Sequence, residues 1–331
     1  MVIFDFNAFN SEDFFNWGFW LGNPSDNSDW ISDMSRAMYW WTGTAWMPEV
    51  GWDYGDYWTI EDIVDGAYNN NCVPIIMWSP SPETGDFSDY YNQCFIDGDF
   101  DTYFEDLADG MATDGREIYF RMFHEMNGYA WIGSGWETPY GSRLYPTEAD
   151  RLADTNAINT PTTFKSAWQH IVNIFKTEGA TNVKFCFTIA NLPSSGYEGN
   201  YHNPSGAVPL ADIYPGDSYV DQLGFEFYPH AQYEYIDADY TLGSYHELCD
   251  QSQSKPVVVA EAGLNPAFTN ATYISNYWDE VLNPNYIKSL YPRTEGYLIW
   301  QFDNWGLYTS ALKSKGASAY NNAIYRYTNG R

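Results

Sequence analysis

The chain has 331 residues, of which 44% are apolar and 19% aromatic, so it contains enough material for one large folded core. Its 44 acidic residues outnumber its 15 basic residues, which gives a formal net charge of −29 at neutral pH. A negative charge of this size repels phosphate backbones and anionic membranes, so nucleic acids and membranes are not expected partners, whereas a neutral ligand is not disfavoured.

The sequence contains no run of about 18 apolar residues, as a membrane-spanning helix requires. The first residues, MVIFDFNAFN, lack the basic segment of a signal peptide and are expected to begin the mature part of a secreted protein. The four cysteines do not have the spacing of a metal site. Cys72 and Cys94 are candidates for a disulfide, whereas Cys186, in an apolar run, is expected to be a buried thiol.

Eight apolar runs are predicted to form strands, and they are apolar throughout rather than alternating, which is typical of strands buried on both faces. In chain order they are FFNWGFWL (14–21), RAMYWWTG (36–43), VPIIMW (73–78), EIYFRMF (117–123), VKFCFTIA (183–190), YVDQLGFEFY (219–228), KPVVVAE (255–261) and GYLIWQF (296–302). Amphipathic segments between them are predicted to be helices, the clearest being DFDTYFEDLADGMA (99–112) and TTFKSAWQHIVNIFKTEG (162–179).

Eight strands alternating with helices predict a closed (β/α)8 barrel that forms a single domain over residues 1–331. The structural alternative is a doubly wound sheet. A doubly wound sheet that binds a nucleotide has a glycine-rich loop after an early strand. Neither GxGxxG nor GxxxxGK[ST] occurs in the sequence, which disfavours this alternative. In a barrel the chemistry lies where strands end, so the candidate residues are those at the ends of the apolar runs: His124, Glu125, Tyr228, Glu261 and Trp300.

Three chemistries are disfavoured by the sequence. A helical HExxH zinc site needs a second His where Gly128 stands, and the five His residues do not cluster. No serine lies in a GxSxG context, and nothing in the sequence suggests the exposed Cys paired with a His that thiol catalysis needs. Paired carboxylates remain, because Glu125 and Glu261 each end an apolar run. In the alternative interpretation, each of these glutamates forms an ion pair with a buried Arg such as Arg121.

The segment FRMFHEMNG, followed by WIGSGW, resembles the acid/base strand of glycoside hydrolase family 26, a retaining family with the (β/α)8 fold. VVVAEAG is similar to the nucleophile segment of that family, and VPIIMWSP to its third-strand segment. SAWQHIVNIFKTEGATNV and YPGDSYVDQLGFEFY are similar to the approaches to the fifth and sixth strands, so the resemblance covers about residues 73–305. It implies an endo-acting hydrolase of a β-glycan that needs no metal or organic cofactor.

The resemblance also implies roles for individual residues. Glu125 would be the general acid/base, which requires a raised pKa, and Glu261 would be the nucleophile. His124 would line the subsite at the cleaved bond, and Arg121 would lie below the acid. Tyr228 would donate a hydrogen bond to the nucleophile. Retaining enzymes of this type hold the two carboxyl groups about 5–5.5 Å apart.

Four tryptophans complete the site that the resemblance implies. Trp300 would form the floor of the −1 subsite, and Trp131, Trp136 and Trp78 would contact the substrate elsewhere in the cleft. Two departures from the family pattern are visible. The sixth-strand pattern Gly-x-Asp-x-Tyr is Gly-Phe-Glu-Phe-Tyr here (224–228), and Gln rather than Arg follows Trp300.

The expected substrate is β-1,4-mannan, including gluco- and galactomannans, and the protein is expected to act as a secreted monomer. The enzymatic alternatives are a mixed-linkage β-glucanase and a β-1,3-xylanase. A further alternative, from a different class of protein, is a non-catalytic carbohydrate-binding barrel. The presence of both carboxylates favours an enzyme over that alternative.

Overall fold

The computed structural model describes residues 16–21, 39–41, 44–46, 60–69, 73–79, 92–123, 161–189, 210–227, 238–262 and 289–301. The strands within them are β1 Asn16–Leu21, β2 Tyr39–Trp41, β3 Thr44–Trp46, β4 Val73–Ser79, β5 Ile118–Met122, β6 Val183–Ile189, β7 Gln222–Phe227, β8 Val257–Ala262 and β9 Thr294–Gln301. The helices are α1 Ile60–Tyr68, α2 Asn92–Asp97, α3 Asp101–Asp114, α4 Pro161–Thr177, α5 Leu210–Ile213 and α6 Ala238–Gln251, with a 3-10 turn at Asp217–Tyr219.

The strands form a closed ring in which all described pairings are parallel. From β1 the ring runs through β9, β8, β7, β6 and β5 to β4, and it closes because β2 pairs with both β1 and β4. β3 follows β2 closely in the chain and pairs with the carboxyl-terminal half of β4, so β2 and β3 share one position in the ring. The predicted (β/α)8 barrel is therefore confirmed, and the open doubly wound sheet is not observed.

The strands are apolar along their length because both of their faces are buried. In β5 and β6 only Tyr119 and Lys184 are partly exposed. The outer face packs on the helices. The ring of Phe120 stacks on Phe175 of α4, with centroids 5.7 Å apart. This contact places part of the apolar core between the barrel wall and the helices.

The helices follow the amphipathic segments of the sequence. The predicted helix over 162–179 is confirmed as α4, and the five residues at its apolar positions are all buried: Phe164, Trp168, Ile171, Val172 and Phe175. The predicted helix over 99–112 is confirmed as α3, which ends where Gly115 adopts a left-handed φ of 74° and its N–H caps the Met111 carbonyl. None of the described helices has the length and apolar character needed to cross a membrane.

Candidate active site

The inner face of the barrel carries charged side chains near the carboxyl ends of three strands. Arg121, Glu226 and Glu261 each occupy the position before the last in their strand, in β5, β7 and β8 respectively. All three are buried, with at most 3% of each residue exposed. Because active sites of (β/α)8 barrels lie at the carboxyl ends of the strands, these residues mark the candidate site.

A single guanidinium group holds both carboxylates. Nη1 of Arg121 donates a hydrogen bond to Oε1 of Glu261 at 2.5 Å, and Nη2 donates to Oε1 of Glu226 at 3.0 Å. We call these three residues the ionic triad. The planar fork of an arginine suits such a double contact, whereas a lysine would present a single point charge. Breaking a buried pair by removing one partner costs about 3–5 kcal/mol, so the triad strongly constrains its members.

The ion pair predicted by the alternative interpretation of the sequence is present for Glu261. It is compatible with a catalytic role, because a nucleophilic carboxylate must be ionised and a guanidinium donor favours the ionised form. The pair also fixes the direction of the Glu261 side chain toward the interior of the barrel. The ion pair with Arg121 is therefore compatible with both a structural and a catalytic role of Glu261.

A β-bulge in β8 determines the direction of Glu261. In the pairing of β7 with β8, Phe225 lies opposite Val259 and Glu226 lies opposite Glu261, so Ala260 is an extra residue on β8. With regular pairing, Ala260 would lie opposite Glu226, and Glu261 would fall on the outer side of the barrel. The extra residue places both glutamates on the same side of the sheet, where both reach Arg121.

Gly224 provides the space in which this bulge packs. A Cβ atom built on Gly224 would lie 2.8 Å from Oγ1 of Thr188 and 2.9 Å from Cβ of Ala260. Real Cβ atoms essentially never approach other heavy atoms so closely. The glycine is therefore needed because β6 and the bulged part of β8 both press against β7 at this level.

Replacing Gly224 by Ala should lower the free energy of unfolding by about 1–3 kcal/mol, because the new methyl group overpacks the barrel interior. The matched control is Gly66→Ala in α1, where a new Cβ would meet nothing within 4 Å. In that helix the same change should stabilise the protein by about 0.5–1 kcal/mol. Urea unfolding of both variants provides the measurement. Equal stability changes in the two variants would contradict the assigned packing of Gly224.

The structure brings together two of the nine residues that the sequence analysis selected, Arg121 and Glu261. The backbone of Trp300 is described in β9, where it pairs with Trp20 of β1, but its side chain lies outside the described residues. The described part of the β5 segment ends at Phe123, which is buried and has a positive φ of 54°. The remaining selected residues lie outside the described ranges: His124, Glu125, Trp131, Trp136 and Tyr228. Cys72 lies outside them as well, so its pairing with Cys94 stays a prediction.

Trp78 lies on the outer side of the barrel wall. Its side chain is fully buried, and its ring packs against Phe95 of α2 and Phe104 of α3, with centroid distances of 6.2 and 5.3 Å. Its Nε1 donates a hydrogen bond to the hydroxyl of Tyr103 in α3 at 3.0 Å. These contacts give Trp78 a role in packing the helices on the barrel. Trp78 therefore packs in the outer layer of the barrel and not at the predicted substrate contact.

Glu226 is the member of the triad that the sequence analysis did not select. Its signal was present in the sequence, because a carboxylate inside the apolar run LGFEFY is costly unless it is paired or functional. Glu226 is also the residue at which this run departs from the Gly-x-Asp-x-Tyr pattern of the resembling family. Its partner, Arg121, is 105 residues away in the chain, so only the fold reveals the pair.

Cys186 is not an activated thiol, and the described residues provide no metal site. Cys186 is buried in β6, where its Sγ lies 3.5 Å from Oε1 of Gln222, and the prediction of a buried thiol is confirmed. Burial raises the pKa of the Cys186 thiol, which keeps it protonated and poorly nucleophilic. Within the described ranges, no group of three or more His, Cys, Asp or Glu residues is arranged to hold a metal ion.

Comparison with known proteins finds two curated relatives, whereas no family profile matches the chain. Endoglucanase H of Acetivibrio thermocellus is 30% identical over 220 residues, which cover 64% of this chain and 20% of that protein. Mannan endo-1,4-beta-mannosidase of Bacillus subtilis is 26% identical over 318 residues, which cover 84% of this chain and 71% of that protein. The chain thus spans about a fifth of the first relative and most of the second.

Solved structures share the fold at low sequence identity. The catalytic domain of the GH26 endo-β-1,4-mannanase of Bacillus sp. JAMB-750 superposes with a TM-score of 0.61 at 15% identity, covering 96% of this chain and 90% of that one. The β-mannanase from a symbiotic protist of the termite Reticulitermes speratus, complexed with gluco-manno-oligosaccharide, has a TM-score of 0.57 at 14% identity, covering 96% and 88%. These similarities concern nearly the whole of each catalytic chain.

Proposed function

We propose that this chain, which is similar to the mannanases of glycoside hydrolase family 26 in sequence and in fold, is a retaining endo-β-1,4-mannanase. The resemblance seen in the sequence is confirmed by the relatives and by the structural neighbours. The observation that carries the proposal is the placement of Glu261, buried near the carboxyl end of β8 and held by Arg121. The HEMNG motif (124–128), which follows β5 after Phe123, would supply the second carboxyl group, that of Glu125.

The proposed mechanism has two displacements. In the first, a carboxylate oxygen of Glu261 attacks the anomeric carbon, the glycosidic C–O bond breaks, and Glu125 gives its proton to the departing oxygen. In the second, Glu125 takes a proton from water, whose oxygen attacks the same carbon and releases Glu261. Each displacement inverts the anomeric carbon, so the product keeps the β configuration. Neither step requires a metal or an organic cofactor.

The remaining selected residues are proposed to hold the sugar. His124 would line the subsite at the cleaved bond, and the Tyr228 hydroxyl would donate a hydrogen bond to Glu261. Trp300, in β9, would form the floor of the −1 subsite. Trp131 and Trp136 would contact the substrate in the cleft. Stacking on aromatic rings suits a neutral sugar, which the strong negative charge of the protein does not repel.

A reducing-sugar assay on β-mannan, lichenan and β-1,3-xylan tests the proposed activity. We expect the highest kcat/KM on β-mannan, and proton NMR of the first products should show the β anomer before mutarotation. Preference for lichenan would favour the second candidate, a mixed-linkage β-glucanase, for which the similarity to Endoglucanase H is the supporting observation. An α anomer as the first product would contradict the roles of both glutamates, because it requires a single displacement.

A non-catalytic carbohydrate-binding barrel is the alternative from another class. It predicts oligosaccharide binding without turnover on all three glycans, for the wild type as well as for the glutamate variants. We also propose a secreted monomer with one catalytic domain, since a polysaccharide does not enter cells intact. Size-exclusion chromatography with light scattering tests the oligomeric state, and activity in the culture medium of the native host tests secretion.

A further inference from the structure

We propose that Glu226 is a positioning residue that sets the charge balance at the nucleophile through Arg121. The inference rests on the proposed function, because it concerns Glu261 as the attacking carboxylate. Glu226 acts without contacting the reacting atoms: its Oε1 accepts a hydrogen bond from Nη2 of Arg121, whose Nη1 donates to Glu261. Within the triad, one cation therefore serves two carboxylates.

The first part of this role is orientation. The guanidinium group is planar and rigid, so a contact that fixes Nη2 also fixes the direction of Nη1. Glu226 lies opposite Glu261 in the pairing of β7 with β8, and the bulge at Ala260 brings the two into this register. Glu226 thus holds Arg121 in the orientation in which Nη1 meets the nucleophile.

The second part of the role is charge. If Glu226 is ionised, it opposes the ionisation of Glu261, because the two carboxylates have the same charge and share one cation. The triad is almost completely buried, so salt screens this interaction weakly. Without the Glu226 charge, Arg121 would act on Glu261 alone. The ionised form of Glu261 would then persist to lower pH, and the carboxylate would be a weaker nucleophile because it is more strongly stabilised.

The thiol near the triad adds no charge to it. Cys186 of β6 lies within electrostatic reach of Arg121, and burial raises the pKa of its thiol, so it stays uncharged. On β5, β7 and β8 the charged groups of the site are the triad members themselves. Three further residues that the sequence predicts for the site are identical in all variants compared: His124, Glu125 and Tyr228. A difference between variants therefore reports the charge at Glu226.

The test is the pH profile of kcat/KM on β-mannan for Glu226→Gln, Glu226→Asp and Glu247→Gln. The acidic limb reports the carboxylate that must be ionised in the free enzyme. In Glu226→Gln we expect this limb to move to lower pH by about one unit, with a loss of kcat/KM of up to about 100-fold. Glu226→Asp keeps the charge, so its limb should stay in place even if the shorter side chain lowers the rate.

Glu247→Gln is the matched control, because it removes one carboxylate from an exposed position of α6, away from the triad. Its acidic limb and its rate should equal those of the wild type. An unmoved limb in Glu226→Gln would overturn the inference, whatever its rate, and so would an equal movement in Glu247→Gln. If Glu226→Gln does not fold, as judged by circular dichroism, Glu226→Asp decides: a limb in its wild-type place supports the inference, and a moved limb overturns it.

The same experiment separates this inference from the function on which it rests. A wild-type protein that hydrolyses none of the three glycans would reject the proposed function, and the inference with it. A wild-type protein that is active, together with a limb that does not move in Glu226→Gln, would reject the inference alone.

Discussion

Replacing Glu261 by Ala should lower kcat/KM on β-mannan by about four orders of magnitude or more, because it removes the atom that forms the covalent intermediate. The protein should remain folded, since Arg121 keeps Glu226 as a partner for its charge. Oligosaccharide binding, measured by isothermal titration calorimetry, should persist. Glu261→Gln, which keeps the shape of the side chain, should be nearly as inactive. The expected loss is therefore one of chemistry, not of folding or of affinity.

Azide provides a sharper test of this assignment. In Glu261→Ala the removed side chain leaves space for a small anion, which can attack the anomeric carbon from the side of the nucleophile. Attack on a β-mannoside then gives an α-mannosyl azide, with the departing oxygen protonated by Glu125, and NMR identifies the configuration. A β-configured azide would assign Glu261 as the acid/base instead. Glu247→Gln serves again as the control and should keep wild-type hydrolysis without forming an azide product.

Much of the barrel was predictable because the hydrophobic pattern of each strand and helix is visible within its own segment of the sequence. Strands buried on both faces are apolar at successive positions, and VKFCFTIA and KPVVVAE show this directly. The face that a helix buries is equally local, as the burial of Phe164, Trp168 and Phe175 at their predicted positions shows. The FRMFHEMNG motif also contains Arg121, which lies near the carboxyl end of β5.

Features that depend on pairing between distant strands were not predictable in this way. The bulge at Ala260 leaves no mark in VVVAEA, because it is defined only by the register with β7. Without that register, simple alternation assigns Glu261 to the wrong side of the sheet. The contact between Glu226 and Arg121 is likewise created by the closure of the ring. The short strand β3 was not predicted either, because three residues are too few to show a pattern.

Trp78 shows that the apolar pattern of a strand does not predict the direction of each side chain. A strand that is apolar on both faces does not indicate which of its residues point inward, so a tryptophan near its carboxyl end can equally face the helices. The resemblance to the family implied that Trp78 contacts the substrate. The hydrogen bond to Tyr103 and the rings of Phe95 and Phe104 instead fix Trp78 in the outer layer. Only the packing of α2 and α3 on β4 distinguishes the two orientations.

Replacing Glu125 by Ala should have an effect that depends on the leaving group. On β-mannan, whose departing sugar hydroxyl needs a proton, we expect kcat/KM to fall by about 100- to 10,000-fold. On a β-mannoside with an acidic phenol as leaving group, the first displacement needs no such help, so its rate should be nearly unchanged. The second displacement still lacks its general base, and a burst of phenol followed by slow turnover should be visible in stopped-flow absorbance.

This dependence separates the two glutamates, because Glu261→Ala should be inactive on both kinds of substrate. Azide should accelerate turnover in Glu125→Ala and give a β-configured product, since the anion attacks the covalent intermediate from the side of the missing acid/base. The basic limb of the pH profile should also disappear, because the group that must be protonated has been removed. Equal losses on β-mannan and on the phenyl substrate would contradict an acid/base role for Glu125. In that case another carboxyl group would have to donate the proton to the departing sugar.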